Sequence, residues 1–119
     1  MREMVRFYRS QPIVIEKRVQ SSAGGTVNDW SWFPTSWLLA DYTKIKVTYA
    51  AGAGGISISV LGSNSRGTDG TISYALSSGV EYDIQTILPT LSSYDWFCVF
   101  LSGATNKSNP YSIFDIELR

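Results

Sequence analysis

The chain has 119 residues, no net formal charge, 44% hydrophobic residues and no histidine. That length holds one core, and the charge balance excludes a disordered polyelectrolyte and a strongly basic nucleic-acid binder. Without histidine neither a Ser-His-Asp nor a Cys-His nucleophile can be built, and the lone Cys98 rules out an internal disulfide and a Cys-rich zinc site.

Residues 1–6, Met-Arg-Glu-Met-Val-Arg, lack the apolar run of a secretory signal. No stretch approaches the roughly 20 apolar residues of a membrane helix. The expectation is a chain that is neither exported nor inserted in a membrane. Arg2, Arg6, Arg9, Lys17 and Arg18 give the first twenty residues a local positive excess over Glu3 and Glu16. Their alternation with Val5, Phe7, Ile13 and Ile15 reads as the wet faces of two strands, over residues 4–9 and 12–20, near a sheet edge. A basic arm that docks on an acidic neighbour is the alternative.

Residues 21–29, Ser-Ser-Ala-Gly-Gly-Thr-Val-Asn-Asp, read as a loop, and the tryptophan-rich run from Trp30 to Trp37 continues it. Residues 42–49 then alternate plainly, with Ile45, Val47 and Tyr49 on one face and Lys44, Lys46 and Thr48 on the other. Glycines at 52, 54 and 55 suggest a hairpin turn into a strand over residues 56–60. No Gly-Lys-Ser/Thr follows them, so they are not a phosphate loop. After a polar loop at 62–70, Ile72, Tyr74 and Leu76 resume the alternation, and Ser78-Gly79 turns the chain into residues 80–84. Residues 86–93 hold Pro89 and no clear period, which predicts a crossing loop with a short helical turn.

Residues 94–101, Tyr-Asp-Trp-Phe-Cys-Val-Phe-Leu, are the longest run in which neither alternate face is polar. Trp96, Cys98 and Phe100 point one way and Phe97, Val99 and Leu101 the other, so both faces need cover and the strand is central. A loop at 102–110 precedes a closing strand with Phe114, Ile116 and Leu118 inward and Asp115 and Glu117 outward. About eight short strands without a long amphipathic helix predict an all-β antiparallel sandwich in one domain, a jelly roll whose strands cross between two sheets.

Two carboxylates can hydrolyse a glycosidic bond, but the pairs Glu81/Asp83 and Asp115/Glu117 read as outer-face solvated charge. Asp29, Asp41 and Asp95 lie at predicted loop ends beside aromatic residues. They carry the oxygen chemistry that calcium takes, against ordinary solvation as the alternative. No other cofactor is implied, and no enzymatic activity is expected. The sharper candidates are Trp30, Trp32 and Phe33 with Asn28 and Asp29. Aromatic faces stack on the C–H faces of sugars and anchor protein interfaces, and they also plug the open ends of sandwiches. Trp30 and Trp32 share a parity, whereas Trp37 precedes Leu38-Leu39 and is read as core.

The strands at 42–47, 56–60 and 114–118 resemble in style the jelly-roll domains of carbohydrate-binding modules. They are similar also to small β-sandwich proteins of tailed-bacteriophage particles, such as head fibres, capsid decoration proteins and tail or baseplate adhesion domains. That resemblance implies a non-enzymatic virion component, made in the host cytoplasm without a signal peptide. Its implied partners are further copies of itself, other virion proteins and a host-surface glycan. A lectin-like carbohydrate-binding module is the second expectation.

Overall fold

The computed structural model describes residues 12–20, 25–51, 56–66, 72–105 and 111–119. Its strands are β1 (Ile13–Gln20), β2 (Gly25–Pro34), β3 (Lys44–Ala51), β4 (Ile56–Ser63), β5 (Ile72–Leu76), β6 (Glu81–Asp83), β7 (Trp96–Thr105) and β8 (Tyr111–Leu118). Helix α1 (Thr35–Asp41), the single turn α2 (Ile84–Ile87) and a 3-10 turn (Leu91–Ser93) interrupt them.

All pairing is antiparallel, in sheet I of order β1-β8-β3-β6 and sheet II of order β2-β7-β4-β5. The first strand pairs with the last, the second with the seventh, the third with the sixth and the fourth with the fifth. A long hairpin wound into two facing sheets gives this nesting, which is the jelly roll. Consecutive strands from β1 to β4 therefore lie in opposite sheets, while β4 and β5 are neighbours in sheet II. The expected hairpin between residues 42–49 and 56–60 is corrected accordingly: β3 pairs with β8 and β6, while β4 pairs with β7 and β5.

Period-two alternation builds both layers. From sheet I, Ile45, Val47, Phe114, Ile116 and Leu118 point inward, and from sheet II Ile58, Val60, Phe97, Val99 and Leu101 meet them; all are buried. Complete burial of such a side chain is worth about 1.5–3 kcal/mol. β7 lies between β2 and β4, the central position its two apolar faces predict. Leu38 of α1, with Ile84, Leu88 and Leu91 from the 84–93 crossing, closes one end of the core.

The tryptophan-rich run is no loop. Residues 25–34 are a strand and 35–41 a helix, so Trp30 and Trp32 stand on β2 while Trp37 stands on α1. The predicted strand at 4–9, the turn at 52–55, residues 67–70 of the expected 62–70 loop and residues 106–110 of the expected 102–110 loop lie outside the described residues, while 62–63 and 102–105 extend β4 and β7.

Candidate functional site

The two outer faces of the sandwich differ in kind. On sheet I the outward parity carries Glu16, Arg18, Lys44, Lys46, Glu81, Asp83, Asp115 and Glu117. Lys44 pairs with Asp83 at 3.2 Å, Lys46 with Glu117 at 3.4 Å, and Arg119 with Glu81 through two hydrogen bonds of 2.6 and 2.9 Å. The Arg119 hydrogen bond holds the Glu81 carboxyl below its usual range, and those from Lys44 and Thr86 do the same for Asp83. Both acids are thus drawn into ion pairs with neighbouring cations on this solvated face.

The outward parity of sheet II bears Thr26, Asn28, Trp30, Trp32 and Pro34 on β2, with Trp96, Cys98, Phe100 and Ser102 on β7. Beside them lie Ser57, Ser59, Leu61 and Ser63 on β4 and Ser73 and Ala75 on β5. None of these described positions is charged. The Trp30 and Trp32 rings are stacked, with centroids 6.3 Å apart and planes 10° from parallel. Trp30 also leans on Phe100 across the strand pair at 4.0 Å, and it stays 37% exposed. Leu61 and Cys98 form a buried floor next to this ridge. Burial pushes the Cys98 thiol up to about 12, so it behaves as a packing group rather than a nucleophile. At the far end the Arg66 guanidinium lies 4.9 Å over the Trp96 ring, on a backbone with φ 56°.

Of the residues expected to act together, Asn28, Trp30 and Trp32 share this face. Asp29 and Phe33 have the opposite parity and turn inward. Asp29 forms an ion pair with Lys17 of β1 at 3.4 Å and accepts a hydrogen bond from Ser31 Oγ at 3.2 Å, bridging the two sheets along one flank. Phe33 packs between the core residue Phe97, at 6.2 Å, and Trp37, stacked at 5.8 Å. Trp37, expected in the core, is instead 42% exposed, because on a two-turn helix the inward position belongs to Leu38. Asp41 ends α1 and Asp95 precedes β7. Among the described residues no three acidic, cysteine or histidine side chains gather in a metal-binding group.

Phe100 and Trp96 belong to the face, with Arg66 at its rim beyond the end of β4, and none of them was singled out by spacing within the tryptophan run. The signal for Trp96 and Phe100 was present in the strand at 94–101, where their parity opposes that of the core residues. No family model, curated protein or solved structure matches the chain.

Proposed function

We propose that the protein is a non-enzymatic structural or attachment component of a phage particle, a capsid decoration, head-fibre or tail-adhesion subunit that assembles through the outer face of sheet II. The observation that carries this is the contrast between a charged, ion-paired outer face on sheet I and an uncharged outer face on sheet II with four aromatic rings. Interface centres are depleted in charge and enriched in aromatic residues, whereas a face kept in water tolerates the reverse. The phage setting rests on the likeness in strand style.

Light scattering after size exclusion tests the assembly step. The unmodified chain is expected to form a defined oligomer, and the Trp30→Ala, Trp32→Ala double variant a folded monomer. Truncating a central aromatic anchor typically costs about 2 kcal/mol or more, or roughly thirtyfold in affinity. A monomer at all concentrations would move the contact to another virion protein. An oligomer indifferent to both substitutions would remove the face from the proposal.

The near-parallel Trp30 and Trp32 favour a second reading, a lectin-like module that stacks a glycan on the ridge. Under that reading the double variant keeps its assembly state and loses glycan binding.

A further inference from the structure

A separate concavity of about 320 Å³ opens at the α1 end of the sandwich, lined by Thr35, Ser36, Leu39, Ser92, Tyr94 and Asp95. Its size falls at the lower end of the roughly 300–1,000 Å³ of small-molecule sites. Three segments converge on it: the start of α1, the 3-10 turn and the two residues that lead into β7.

Backbone contacts fix all three. Thr35 N–H donates to the Asp95 carbonyl at 2.9 Å, and Asp95 N–H donates to Asn64 Oδ1 at 3.0 Å. The N–H groups of Ser93 and Tyr94 donate to the Thr90 and Leu91 carbonyls, each at 2.9 Å. Gly62 of β4 seats the tyrosine: a Cβ there would lie 3.3 Å from Tyr94 Cδ2 and 3.0 Å from Leu91 Cδ1, so the ring rests against bare backbone. Asp95 thus holds the chain through its backbone rather than its carboxylate.

The wall is chemically mixed in a particular way. It offers three aliphatic hydroxyls, one carboxylate, one phenol ring and one leucine side chain. One of the hydroxyls, Thr35 Oγ1, is buried without a hydrogen-bond partner in a residue only 4% exposed. That oxygen lies behind the wall, so the hydroxyls open to the cavity are those of Ser36 and Ser92. The single carboxylate disfavours anions. Two open hydroxyls beside one ring match a neutral molecule with many O–H groups and one C–H face better than they match a simple cation.

We propose that this pocket binds a monosaccharide-sized sugar unit, with Asp95 and the Ser36 and Ser92 hydroxyls meeting its O–H groups and Tyr94 with Leu39 its apolar face. The site lies apart from the aromatic ridge and does not depend on it.

Amide and indole chemical shifts of the labelled chain test it, with D-glucose, D-galactose, D-mannose and N-acetyl-D-glucosamine as separate probes at about 10 mM, enough to fill most of a millimolar site. The expected result is a saturable response to at least one sugar at the amides of Ser36, Ser92 and Asp95. Asp95→Asn and Ser92→Ala should each weaken it by about three- to tenfold while leaving the remaining spectrum in place. Silence at these amides with all four sugars overturns the proposal, as does a response there to methylammonium alone. A response confined to the Trp30 and Trp32 indoles, unchanged in both variants, overturns it too and supports the ridge as the glycan site instead.

Discussion

Between Gly103 on β7 and Ser112 on β8 there is no room for a methyl group, because a Cβ on Gly103 would sit 2.6 Å from Ser112 Oγ. Both residues face inward, from opposite sheets, and Ser112 Oγ is buried there without a hydrogen-bond partner. The glycine sets how closely the layers approach at this end. Gly103→Ala is expected to lower stability by about 1–3 kcal/mol, the usual cost of overpacking. Ser112→Ala alone should be close to neutral, since it deletes an oxygen that satisfies nothing. In the double variant Ser112→Ala should restore much of the loss, so urea unfolding of the four chains gives a non-additive cycle. Additive effects would place the strain elsewhere.

At the scale of the element, β2 explains both what the sequence disclosed and what it concealed. Residues 26–33 do alternate, with Val27 and Phe33 facing in, but the two tryptophans, Trp30 and Trp32, face outward while Asp29 and Ser31 between them face in. The pattern that marks a half-buried strand is therefore inverted over residues 29–32, and the small polar residues and paired glycines of 21–29 read as a loop. The inversion is tolerated because β2 is an edge strand whose inward side meets Lys17 on the edge strand of the other sheet. Strands β3, β7 and β8 were legible because their apolar parity points into the core along their length. Helix α1 was not: seven residues are too few to establish a 3.6-residue period, and no side chain caps its N-terminus. The expected hairpin of β3 with β4 failed for another reason, since glycines between two strands signal a turn but not the sheet to which the chain returns. The Lys17–Asp29 bridge has side chains only 30% and 17% exposed, against 38% and 39% for Lys46–Glu117. Mutant cycles in low salt should give a coupling near 1 kcal/mol for the first pair and less than about 0.5 kcal/mol for the second, with the second more easily screened.

For the whole molecule, the same residues set how stability changes with pH. Glu81 and Asp83 have folded-state values below their ordinary 4.5 and 3.8, so their contribution is present above those values and is lost as pH falls through the lowered ones. Cys98 acts at the other end of the scale. Its thiol ionises near 9.0 in the unfolded chain and near 12 in the folded one, so the unfolded state sheds its proton first and stability declines above pH 9. Between about pH 8 and about pH 10 this amounts to roughly 1.4 kcal/mol, by which the stability difference between the unmodified chain and Cys98→Ala should change in urea titrations, because the variant lacks this decline.

The nested pairing also imposes an order in time. Ile13 finds its partner at Leu118 and Trp30 at Phe100, so neither of the first two strands has a ladder until nearly the whole chain has left the ribosome. At about 5–20 residues per second, β2 waits several seconds with its tryptophans unshielded. During that interval the face proposed for assembly is a hazard, open to premature contact with another nascent chain. A sandwich closed by its last strand must be guarded by the cell before it can guard itself.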